Sequence, residues 1–95
     1  MNKKNPLLDE SIDSLREKID AIDSAILSLI EERERCAIQI GKIKKSQHNP
    51  PVYYVPEREQ AIIASIEKNY KGNFSLDAIR HIFQIIILNC RLLQR

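Results

Sequence analysis

The chain has 95 residues, 43% of them hydrophobic and 29% charged, so it is a single small globular unit that buries limited surface alone and is an expected oligomer. Fifteen basic against thirteen acidic residues leave a net charge of +2, too little to argue for nucleic acid. No apolar run approaches the ~18 residues of a membrane span.

Met1–Asn5 is polar, and no apolar leader core follows it, a pattern that predicts a cytoplasmic protein. Asn5–Pro6 reads as a cap with proline in the first turn. Beyond it, steps of four and three mark Leu8, Ile12, Leu15, Ile19, Ile22, Ile26, Leu29, Arg33, Cys36, Ile40, Ile43 and Gln47. That is a heptad seam with no proline between Pro6 and Pro50. Asp9 and Glu10 suit the positive end of a helix dipole, and Lys42, Lys44 and Lys45 the negative end. A helix from Asp9 to Ser46 is roughly 57 Å long, whereas a compact domain of this size is roughly 30 Å across. Two further helices cannot cover such a stripe. The pattern therefore predicts a dimer in which a second copy finishes it.

Ser46–Pro56, with three prolines, reads as a loop. Val52–Val55 has strand propensity but no partner strand, so it belongs to that loop. A second helix opens at Pro56 and ends near Tyr70, with Ile62, Ile63, Ile66 and Tyr70 on its buried side and Gly72 as its C-terminal stop. A third opens at Ser75, an N-cap type, with Asp77 in its first turn. Its seam is Leu76, Ile79, Phe83, Ile86, Cys90 and Leu93, broadened by Ile82 and Ile87. The expected architecture is all-α: one domain over residues 1–95, with helices at roughly 7–47, 56–70 and 75–94, paired as an intertwined homodimer.

Arg33 interrupts the apolar seam. A guanidinium keeps its proton, so a buried one needs an anion. That anion is either a glutamate such as Glu59 or a ligand. Lys44 follows 11 residues later, rotated by only about 20° and displaced roughly 16 Å along the helix, so the two cations share a face and can clamp a small dianion. Arg16 precedes Arg33 by about 25 Å of helix, too far to share a pocket within one chain but able to serve a partner's. It reads equally as a solvated charge. Gln94 follows Cys90 by four residues and offers a neutral donor, or is an ordinary terminal glutamine. Cys36 and Cys90, on the seams, read as buried inert thiols. His48 and His81 lack a second ligand at helical spacing, so no metal site is expected. Two glycines, Gly41 and Gly72, exclude a Gly-rich phosphate loop.

Leu15–Lys44, Val55–Gln60 and Phe83–Gln94 together resemble the all-helical class of chorismate mutase, and most of all the mutase domain at the N-terminus of bifunctional mutase/prephenate dehydratases. L-R-x-x-I-D, E-R, G-K-x-K and P-E-R-E occur in that order, and the likeness runs from about Leu7 to Gln94. It implies an intertwined dimer of three-helix chains. It also implies rearrangement of chorismate to prephenate, in phenylalanine and tyrosine biosynthesis, without cofactor, metal or covalent intermediate. Arg33 resembles the arginine that grips a substrate carboxylate, and Arg16 the arginine given across the interface. Lys44 resembles the lysine that contacts both a carboxylate and the ether oxygen, and Gln94 the second donor to that oxygen. Glu59 resembles the acceptor of the ring hydroxyl, and Arg58 the arginine supporting that end.

Val55 stands where some members carry aspartate and would act through its backbone. Cys90 stands where some carry a serine, and a thiol donates more weakly. A glutamine at 94 implies activity that needs no acidic pH. Isochorismate–pyruvate lyase, with a similar pocket on the same scaffold, is the alternative enzyme. A non-catalytic helical dimerisation module is the alternative from another class. A chain ending one residue after Gln94 also fits a domain cut from a longer fusion.

Overall fold

The computed structural model describes residues 6–95, with side chains from residue 11 onward. The expected cap at Asn5 lies outside the described residues, as do the side chains of Leu8, Asp9 and Glu10. Three helices form: α1 (Pro6–Gln47), α2 (Pro56–Asn69) and α3 (Leu76–Leu93). The described residues contain no strand, and Val52–Val55 is loop.

Two units divide the chain, meeting between Glu32 and Arg33. In the first, α1 carries Ile12, Leu15, Ile19, Ile22, Ile26 and Leu29, each about half exposed. The heptad pattern has thus produced an apolar stripe with no cover inside its own unit.

In the second unit (Arg33–Arg95), the end of α1 is followed by α2 and α3. Proline at the first turn of α2 presets φ there, and the Val55 carbonyl accepts from the Arg58 and Glu59 amides, starting the helix without a side-chain cap. Ser75 caps α3 as expected, its hydroxyl accepting from the Ala78 amide at 3.1 Å. Arg80 on α3 forks onto Glu67 of α2, Nε to Oε1 at 3.2 Å and Nη2 to Oε2 at 3.0 Å, and also reaches Asp77. That hydrogen-bonded guanidinium holds the Glu67 carboxyl below the usual carboxylate range, and Glu67 in turn raises Arg80.

The core of this unit is thin. Ala37, Ile79, Ile87 and Cys90 are its buried apolar residues. Two expectations need correction. Leu76, Ile82 and Leu93 are exposed, so the buried line of α3 runs Ile79–Ile87–Cys90, with Phe83 and Ile86 partly covered. Cys36 is exposed rather than buried. The expected stop near Gly72 holds, since α2 ends at Tyr70 in extended conformation, but no glycine has positive φ. A side chain at Gly72 would instead collide with the Tyr70 ring, 2.6 Å from Cζ. The Tyr70 hydroxyl needs that place to accept from the Phe74 amide at 2.8 Å.

Candidate active site

Gly41 lies buried on α1, against the last turn of α3. A Cβ there would stand 2.6 Å from Gln94 Cα and 2.7 Å from its carbonyl carbon, well inside contact distance. The missing side chain therefore lets the two backbones meet. One turn further along α1, Lys44 Nζ donates to Gln94 Oε1 at 3.0 Å and to the Tyr53 carbonyl at 3.4 Å. An ammonium has three protons and no acceptor. One proton of Lys44 thus remains for a ligand, and Gln94 must face the lysine with its oxygen, which keeps its NH₂ as a donor.

These groups open onto a cavity of about 450 Å³, within the usual ~300–1,000 Å³ range of small-ligand sites. Arg33, Lys44, Arg58 and Arg91 bring four cations to its lining, against one carboxylate, Glu59. A chain of net charge +2 has gathered three excess positive charges around one hollow. Cys36, Ala37, Ile40, Ile62, Ile87 and Cys90 supply its apolar wall. Such a lining selects a compact dianion with an apolar body and one hydroxyl or amine to give to Glu59.

The cavity brings together Arg33, Lys44, Val55, Arg58, Glu59, Cys90 and Gln94 of the expected site. Arg16 belongs to the first unit and is not among the lining residues. The Val55 carbonyl is occupied in starting α2. The expected pairing of Arg33 with Glu59 does not form. Glu59 Oε2 lies 3.0 Å from Arg91 Nε instead, and among the described residues Arg33 has no ion pair. Arg33 is thereby left available to an anionic ligand.

Arg91 itself escapes a reading of the sequence, since a cation in the last turn of a helix suits the dipole and calls for no further explanation. Its spacing held a signal: it precedes Gln94 by three residues and so shares its face of α3. The guanidinium lies over the Tyr54 ring, 4.3 Å from the centroid.

A family model described as chorismate mutase type II matches residues 15–95. The chain belongs to this family. Among curated chorismate mutase relatives, it is 41% identical over 90 residues to the bifunctional chorismate mutase/prephenate dehydratase of Aquifex aeolicus, covering 90% of this chain and 24% of that protein. It is 37% identical over 97 residues to the protein of the same name from Escherichia coli K12, covering all of this chain and 23% of the other. For the Pseudomonas aeruginosa counterpart the identity is 32% over 89 residues, covering 90% and 24%. The chain thus spans about a quarter of the length of these relatives. Among the described residues, no helix is long and apolar enough to cross a membrane.

Proposed function

We infer that this chain is a chorismate mutase, converting chorismate to prephenate by an intramolecular rearrangement in phenylalanine and tyrosine biosynthesis. The observation that carries the reading is the Lys44–Gln94 hydrogen bond at the mouth of a cationic cavity. In this reaction the C–O ether bond breaks as a C–C bond forms between two ends of one molecule. The barrier falls if the flexible dianion is held folded and if charge developing on the ether oxygen meets preset donors.

Arg33 binds a carboxylate, and Arg58 supports the hydroxyl end of the site. The third ammonium proton of Lys44 and the NH₂ of Gln94 converge on the ether oxygen. Glu59, which when ionised can only accept, takes the one hydroxyl proton the substrate offers. Cys90 and Val55 shape the wall. No residue need form a covalent bond or move a proton, and no metal or cofactor is called for. The reading is confined to the mutase reaction, because the family model that spans residues 15–95 is a mutase model.

A homodimer goes with this reading, as does a cytoplasmic location. Six half-exposed apolar residues on α1, from Ile12 to Leu29, call for a second copy to cover them. In such a dimer Arg16 of the second copy reaches the other substrate carboxylate. Chorismate should disappear and prephenate appear when the purified chain is added, and Arg33→Ala should cost roughly 10²–10³ in kcat/KM, as loss of a key charge-stabilising donor does. Mixed dimers of Arg16→Ala and Arg33→Ala chains should regain activity, because one of their two sites keeps both arginines. Salicylate and pyruvate formed from isochorismate, with no prephenate from chorismate, would establish the lyase instead. A folded chain inert toward both would leave a dimerisation module.

A further inference from the structure

We propose that Arg91 is a positioning residue that makes Glu59 a selective acceptor for the substrate's ring hydroxyl, with Tyr54 bracing it from behind. The proposal rests on the mutase reading above. A bare carboxylate among the groups that bind a dianion repels that dianion. It is also free to turn toward Arg33 or Arg58 and so occupy the cations meant for substrate.

Arg91 addresses both difficulties. Its Nε is buried and 3.0 Å from Glu59 Oε2, and both side chains are only about a quarter exposed. The N–H is not aligned for a hydrogen bond, so the contact neutralises charge while leaving carboxylate lone pairs for another donor. Behind this pair lies a second cavity of about 470 Å³ between α2 and α3. Glu59, Ile87 and Arg91 line both hollows, and Tyr54 lines the second. The ion pair is therefore part of the wall between the two cavities. With its guanidinium carbon 4.3 Å from the Tyr54 ring, Arg91 is held from that side, and it acts on substrate through Glu59.

The test is a cycle of variants read against two substrates. Arg91→Met keeps the unbranched stem as far as the Nε position and removes the charge. It should lower kcat/KM for chorismate roughly 10- to 100-fold, the range seen when a partner that orients a site group is lost, with circular dichroism and dimer mass unchanged. Arg91→Lys should restore part of the loss. In a Glu59→Ala background, Arg91→Met should add less than about twofold, since residues that act as a unit are not additive. With the chorismate analogue carrying hydrogen in place of the ring hydroxyl, the loss in Arg91→Met should be smaller than with chorismate, since only the repulsion by an unneutralised Glu59 remains. Tyr54→Leu should give a smaller loss with the same dependence on Glu59 and on the hydroxyl, and it decides the matter if Arg91→Met does not fold. Losses that multiply with those of Glu59→Ala, or that are as large with the deoxy analogue as with chorismate, would overturn the proposal. So would full activity in Arg91→Met. Wild-type chain inert toward chorismate would instead remove the mutase reading, and this inference with it.

Discussion

Gly41→Ala adds one methyl group to the chain, and its consequences can be worked from distances. The new Cβ would start 2.6 Å from Gln94 Cα and 2.7 Å from its carbonyl carbon, whereas ordinary contact begins at 3.4 Å. The end of α3 must therefore retreat by at least about 0.8 Å. Backbone is the obstacle, so no rotamer change relieves it. Overpacking of this kind costs ~1–3 kcal/mol. Alanine in a helix recovers ~1 kcal/mol relative to glycine. The net loss of stability should thus be only about 0–2 kcal/mol, and the dimer should still form. Activity should fall much further. A retreat directed away from Lys44 would stretch the Lys44 Nζ–Gln94 Oε1 hydrogen bond, 3.0 Å long in the wild type, beyond its normal range. Lys44 and Gln94 then no longer hold one another on the ether oxygen. Loss of one such donor costs roughly 10²–10³ in kcat. Thermal unfolding and initial rates of chorismate consumption, measured on one preparation, separate the two effects. A Gly41→Ala variant with kcat/KM within twofold of wild type would refute the claim that this backbone contact sets the site.

Gln94→Glu should lower kcat/KM at pH 7, where a carboxylate would face the developing negative charge. Activity should recover as pH falls and the new carboxyl becomes a donor, so a rate profile that stays flat from pH 7 to 4 counts against Gln94 as an ether-oxygen donor. Ser75→Ala removes the hydroxyl that accepts from the Ala78 amide and should cost about 1 kcal/mol of unfolding free energy, leaving KM unchanged; a urea titration reads this. The lowered pKa of Glu67, due first to its hydrogen bond from Arg80, means that the clamp between α2 and α3 lends its stability in full above the ordinary value of 4.5. That stability is lost as pH falls through the lowered folded value. Melting temperatures measured from pH 6 to 3 should decline less steeply in Arg80→Met than in wild type, and parallel declines would show that the clamp contributes nothing.

Local pattern made some of this site visible in advance. Arg33 is conspicuous because it interrupts a seam, and Lys44 because 11 residues is close to a whole number of turns. Both lie in α1, where relative direction follows from helix geometry alone. Ser75 announces its helix by residue type, and its hydroxyl does accept from the Ala78 amide. What stayed hidden depends on contacts between elements. Glu59 meets Arg91 rather than Arg33 only because α2 and α3 pack side by side, and no periodicity within either helix specifies that choice. Gly41 reads from sequence as one of two scattered glycines, and its meaning appears only when the Gln94 backbone is found against it. Gly72 marks the end of α2 as its residue type suggests, but the space it clears for the Tyr70 ring appears only in the structure. Cys36 lies on the seam as expected, yet a seam position is buried only where something covers it.

The proposed role of Glu59 also bears on why a pocket for a dianion would keep a carboxylate at all. At ~5 Å and an effective dielectric near 20, each unit charge on the ligand would be repelled by about 3 kcal/mol. Replacing Glu59 by a neutral residue would then raise affinity for any dicarboxylate of suitable size. The carboxylate is worth its cost only as a discriminator, since a buried group that must receive a hydrogen bond rejects ligands lacking the donor far more strongly than an apolar wall could. Arg91 removes most of the repulsion while leaving lone pairs on Glu59 unfilled. Four cations and one paired carboxylate thus favour a dianion that also carries a hydroxyl over the many small dicarboxylates that do not.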